Sequence, residues 1–99
     1  MKFEIKNPKD NILSLARKSG YFPKRSLDQE TSFVRQLLGR DYPRFHLYIK
    51  ESKDKNIFLF NLHLDQKKPS YEGSRAHSGE YEGGLVEKEV ERIKKIISE

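Results

Sequence analysis

Cysteine and tryptophan are both missing from this chain of 99 residues, and methionine occurs only once. Without cysteine there is no disulfide framework and no thiolate metal site, so any metal ion would be held by His, Asp or Glu. Long apolar runs are missing too. No stretch approaches the roughly 18 residues that suggest a membrane span, and the opening MKFEIKNPKDN has no apolar signal-peptide core. These absences predict a cytoplasmic protein with no membrane partner. The length suits one domain, 1–99, with a single modest core, because a chain of this size buries roughly 60–68% of its unfolded surface.

Charge is plentiful, at 35% of residues, and the mean hydropathy is −0.88, a balance that leans toward disorder. Six Phe, five Tyr and clustered aliphatics argue instead for a packed core. The net charge of +5 is uneven, with thirteen basic and seven acidic residues in 1–55 against seven and eight in 56–99. Arg17, Lys18, Lys24, Arg25, Arg35, Arg40 and Arg44 share a span with few acids and suggest a phosphate-attracting surface. Such a run is also what an ordinary solvated basic protein carries.

Periodicity outlines the elements. MKFEIKN alternates Phe3 and Ile5 with charged residues, as in a short strand, and Asn7-Pro8 opens a helix predicted over Pro8 to Ser19. Ile12, Leu13, Leu15 and Ala16 give that helix an apolar face, with Asp10 near its start and Gly20 at its stop. YFPKRSLDQE reads as a connection with Phe22 extended before Pro23. SFVRQLLG fits a helix or a strand, with the strand preferred. RFHLYIKE and NIFLFNLHLD both alternate, and SKDK between them closes a hairpin over 43–51 and 56–65. GGLVEKEVERIKKIISE is an amphipathic helix with the stripe Leu85, Val86, Val90, Ile93, Ile96 and Ile97. The predicted class is α+β: a small antiparallel sheet of about three to four strands, packed on its apolar face by an N-terminal and a C-terminal helix. A long Gly, Ser and Tyr-rich loop occupies 66–84, and a structureless stretch of that length is usually functional or disordered.

Symmetric closure by SKDK sets His46 opposite Asn61, Tyr48 opposite Leu59 and Arg44 opposite His63. Arg44, His46, Asn61, His63 and Asp65 then share one sheet face, where opposed Cβ atoms lie about 5 Å apart and diagonal ones about 7 Å apart. His46, His63 and Asp65 are candidate ligands for a divalent metal ion, joined by His77 and Glu80 if the loop folds over them. They are equally candidates for acid and base work on a phosphodiester, because imidazole titrates near neutral pH. The plainer reading of each is a surface or hydrogen-bonding histidine and a turn aspartate.

The segment DQKKPSYEGSRAHSGEYEGG, 65–84, resembles part of the phosphoesterase domain of bacterial DNA-repair ligases, with an acidic residue, Pro, Tyr and Glu-Gly ahead of Gly-Glu-Tyr and glycines. That family's closely spaced histidines ahead of an acid and an arginine are not reproduced. His63-Leu64-Asp65-Gln66-Lys67 is a partial echo with Lys in the place of Arg, and no catalytic role is carried over.

Three functions compete on these residues. The first is a binding module for nucleic acid or another phosphate-rich polyanion, drawing affinity from charge and grip from Tyr48, Tyr71 or Tyr81. The second is a metal- or histidine-dependent phosphoesterase or nuclease built on His46, His63 and Asp65. The third is a protein-interaction adaptor, with the C-terminal helix or Leu59 meeting a protein partner.

Overall fold

Alternation in the sequence becomes alternation across a sheet. A computed structural model describes residues 1–24, 31–54, 56–66, 79–80 (backbone) and 83–98. Its strands are β1 (Lys2–Lys6), β2 (Phe22–Lys24), β3 (Thr31–Gln36), β4 (Arg44–Glu51), β5 (Ile57–Asp65) and the two-residue β6 (Gly79–Glu80), and its helices are α1 (Ile12–Lys18) and α2 (Gly84–Ser98). Five strands run in the order β1-β5-β4-β3-β2, every neighbouring pair antiparallel, and β6 pairs with the end of β5. The α+β class stands, with more strands than the three or four expected.

Opposed residues in an antiparallel pair share a face, so the register writes out both faces as rows. On one face lie Leu62, Leu47 and Phe33 in a row, beside Phe60 and Ile49 and beside Leu64 and Phe45. All seven are buried. Phe3 opposes Phe60, ring centroids 4.8 Å apart, which anchors β1 to the same core. Burying an apolar side chain of this size contributes about 1.5–3 kcal/mol, so this row system is the main source of stability.

The helix α2 covers that face with Val86, Val90 and Ile93, residues spaced for one helical side. Leu85, expected in the same stripe, points outward at 49% exposure, because it sits one step around the helix from Val86. Glu89 shares the buried side. Its carboxylate accepts the Tyr21 hydroxyl at 2.6 Å and two Arg92 N–H groups at 2.7 and 2.8 Å, and Arg92 also donates to the Ser19 carbonyl. Burial first, then the charge and hydrogen bond of Glu89, push the Tyr21 phenol well above its ordinary value. The hydrogen bond to Glu89 likewise raises Arg92.

The N-terminal helix is shorter than the predicted Pro8 to Ser19. Asn7 takes a positive φ of 51°, which ends β1, and Asn11 is the true cap, accepting the Ser14 N–H at 2.8 Å. Asp10 therefore stays outside. The helix ends through Gly20 at φ 89°, with Tyr21 N–H donating to the Ala16 carbonyl and Gly20 N–H to that of Arg17, the paired closure that a left-handed residue permits. Leu15 and Ala16 enter the core, while Leu13, expected on the apolar face, is 40% exposed. The two turns of α1 meet α2 and β2.

Two further readings change. Phe22–Lys24 is a strand and not a connection, pairing with β3, and 31–36 resolves as strand because β4 supplies its partner. The hairpin register is displaced by two: His46 faces His63, Tyr48 faces Asn61 and Arg44 faces Asp65. Ser52 N–H bonds the Ile57 carbonyl and Asn7 N–H bonds that of Asn56, so the strands stay paired beyond the closure expected at 52–55. β1 pairs with the other edge of β5 down to Ile57. A shift of two preserves every side chain's face. Most of the 66–84 loop, with Tyr71, His77 and Tyr81, lies outside the described residues.

Candidate metal site on the helix-free face

Both helices pack on the apolar face, so the opposite one carries most of the polar strand residues. One row runs Lys2, Asn61, Tyr48, Ser32, Lys24 across all five strands, and the next runs His63, His46, Val34, Phe22. Beyond it stand Asp65, Arg44 and Gln36. The predicted trio therefore meets at a corner where β4 and β5 end.

Asp65 is the hub. The His63 Nε2 atom lies 2.9 Å from its Oδ1, and the His46 Nδ1 atom lies 3.3 Å from its Oδ2. Arg44 Nε donates to Oδ2 at 3.3 Å, with its guanidinium 4.4 Å over the Tyr42 ring. Burial alone would raise the Asp65 carboxyl, but hydrogen bonds from His46 and His63 and their charge outweigh it and hold the group far below the usual carboxylate range. The aspartate is an anion at any physiological pH.

His46 is fixed at both nitrogens. With Nδ1 toward Asp65, its Nε2 meets the Ser32 hydroxyl at 2.5 Å. Its ring stacks on Tyr48 at 4.4 Å and lies 4.9 Å from the His63 ring. Burial lowers its pKa below the ordinary 6.5, against the opposing pull of Asp65, and the charges of His63 and Lys24 act in the same direction as burial. The neutral imidazole is favoured, which is the form that offers a lone pair. A serine hydroxyl both donates and accepts, so Ser32 can serve either tautomer of His46.

His46, His63 and Asp65 form a group whose ligand atoms all lie within 4.8 Å of one another. Zn–N and Zn–O bonds of about 2.0–2.1 Å in a tetrahedron put neighbouring ligand atoms about 3.3 Å apart. The observed 2.9 and 3.3 Å, to the two oxygens of Asp65, lie at or just under that spacing, and the whole set falls within 4.8 Å. The donor set of two imidazoles and one carboxylate fits a divalent cation and leaves a fourth position for another ligand. Ser32 behind His46 and Arg44 behind Asp65 supply the outer contacts that orient metal ligands.

The remaining predicted residues divide. His77 lies outside the described residues and Glu80 is described only as backbone in β6, where it opposes Leu64. Of the expected polyanion surface, Lys24 and Arg44 lie on the helix-free face and Arg25 is outside the described residues. Arg17 and Lys18 end α1 on the helix side, and Arg40 is exposed in the 37–43 loop. Arg35 is turned toward Glu89, 3.8 Å away, and lies over the Phe45 ring. The described members thus do not share one surface. Ser32 was not among the predicted residues, since a serine at the start of an ambiguous segment carries no signal until β3 is set beside β4.

Among the described residues no helix is long and apolar enough to cross a membrane. The chain matches no protein-family model, no curated protein and no solved structure.

Proposed function

We propose that His46, His63 and Asp65 bind a divalent metal ion and that the helix-free face uses it to hydrolyse a phosphate ester. The observation that carries the reading is the spacing of the His46 and His63 nitrogens about the Asp65 carboxylate, 3.3 and 2.9 Å, with Ser32 and Arg44 bracing the group from outside. An ion held there would supply Lewis acidity toward a phosphoryl oxygen. The chain's own residues do the rest. Arg44 aims Asp65 through its bond to Oδ2, Ser32 fixes the His46 ring, and Lys2, Lys24 and Lys50 on the same face draw in an anionic substrate.

A second reading, a polyanion-binding module without turnover, is favoured by the same lysines. Among the described strand residues of that face, five cations, Lys2, Lys6, Lys24, Lys50 and Arg44, stand with two acids, Glu4 and Asp65.

The test is a zinc titration followed by histidine-ring NMR in phosphate-free buffer, with a chelator to reverse it. Coupled shifts of both rings, complete near one equivalent, support the metal site. Phosphodiester and phosphomonoester assays on the wild type and on His63→Ala then separate the two readings. Turnover lost in the folded variant supports the enzyme. Salt-sensitive binding with no turnover supports the module, and independent, unresponsive histidines remove the metal site.

A further inference from the structure

Beside the metal cluster the helix-free face holds a trough of about 460 Å³. Its walls are two adjacent rows, Lys2, Asn61 and Tyr48 on one side and Glu4, Leu59 and Lys50 on the other. Its floor is the backbone of Phe3, Phe60 and Ile49, whose side chains point away into the core. The trough therefore exists because of the pleat, and β1, β5 and β4 each contribute one stretch to it. Its size is that of a small-molecule site.

The chemistry of the walls is mixed in a particular way. Tyr48 stacks one ring face on His46 at 4.4 Å, and His63 lies at 5.7 Å on that same side. Tyr48 also lines the trough, because the histidine row and the Lys50 row stand on opposite sides of it along the strand. Leu59, half-buried, adds an apolar surface. Asn61 offers both donors and an acceptor, and Lys2 and Lys50 are exposed cations at diagonal corners, with Glu4 the single anion. A flat π-system with polar edges matches Tyr48, Leu59 and Asn61, and an anionic group matches the two lysines.

We propose that this trough is a subsite for a planar heteroaromatic ring that carries an anionic group, of which a nucleoside monophosphate is a small example. The inference rests on the metal-site reading for its meaning, since it names the group that the substrate presents one row from His46 and His63. Occupancy of the trough itself needs no metal. Tyr48 is shared by both sites and is the side chain through which one would sense the other.

The experiment is an NMR titration of the whole chain, kept metal-free by a chelator, with adenosine 5′-monophosphate, ribose 5-phosphate and inorganic phosphate in parallel. Saturable ring-current shifts at the Leu59 methyls and the Asn61 side-chain amide are expected with the nucleotide alone. Tyr48→Leu should weaken the nucleotide about five- to a hundredfold, the range set by base–aromatic stacking. Leu59→Asp, which leaves the Tyr48–His46 stack in place, should weaken it at least as much by placing a carboxylate in the trough. Equal shifts with ribose 5-phosphate, or no saturable shift at these groups, would overturn the proposal. If the nucleotide fills the trough while zinc fails to bind, only the metal reading falls. Zinc binding with an unresponsive trough removes this inference and leaves the metal reading standing.

Discussion

Replacing Glu89 tests how α2 is locked to the rest of the fold. Glu89 is 5% exposed and accepts three hydrogen bonds, one from Tyr21 and two from Arg92. Truncation to Ala leaves the Tyr21 hydroxyl, itself at 0% exposure, with its carboxylate acceptor gone. A lost hydrogen bond to a charged group, with the partner left buried, costs about 1.5–3 kcal/mol. The Arg92 pair adds less, about 1 kcal/mol or under, because that side chain is 34% exposed and can turn to water. Glu89→Ala should therefore destabilise by about 3 kcal/mol, and Tyr21→Phe, which leaves the carboxylate both Arg92 bonds, by about 1.5 kcal/mol. The double variant has no orphan hydroxyl, so its cost should fall about 1 kcal/mol or more short of the sum. Urea unfolding of the four proteins, read by far-UV circular dichroism at pH 7, measures the cycle. Additive costs, or a Glu89→Ala loss below about 1 kcal/mol, would refute the claim that Tyr21 and Glu89 act as one buried unit.

The other predictions concern the site and the core. Ser32→Ala should weaken zinc binding about tenfold to a hundredfold by freeing the outer nitrogen of His46, with Ser32→Thr restoring it; isothermal calorimetry reads both, and unchanged affinity in the alanine variant would deny Ser32 its orienting role. In the chelated protein, stability should fall on acidification. His46 has its pKa lowered in the fold, so the unfolded chain takes the proton more readily and stability present above about pH 6.5 is lost below it. Asp65, also lowered, adds a loss that begins below about pH 4. A urea midpoint that rises between pH 7 and pH 5 would contradict the sign. Leu62→Ala should cost about 2–5 kcal/mol, since Leu62 is at 0% exposure among Leu47, Phe33 and its neighbours. Leu59→Ala, on the half-buried opposite face, should cost about 1 kcal/mol or less. Equal losses in denaturant melts would mean the two faces of β5 are not distinguished as described.

Much of the site was legible in the alternation of β4 and β5. Strand parity alone puts His46, His63 and Asp65 on one face, and parity survives an error of two in register. That is why the predicted cluster holds although its predicted pairings do not. His46 opposite His63 depended on pairing carried on to Ser52 and Ile57, and the local residues Lys53, Asp54 and Asn56 suit a chain reversal at either register. The observed pairing does run on to that point, and Asn7 at the end of β1 bonds the Asn56 carbonyl from more than forty residues away. The predicted basic surface divided for a similar reason. Charge counted along the chain does not say that Arg35 turns inward to Glu89 while Lys24 stands on the far face.

The sequence by itself determined the α+β class, the two faces of the hairpin, the apolar stripe of α2 and the absence of any thiolate chemistry, because each follows from composition or from a period of 2 or 3.6 residues. Tertiary structure alone decided which strands are neighbours. That choice brings Ser32 to His46 across fourteen residues and Tyr21 to Glu89 across sixty-eight, and it cuts the trough between β1, β5 and β4. Contacts of that range depend on how the whole core packs, which no local pattern encodes.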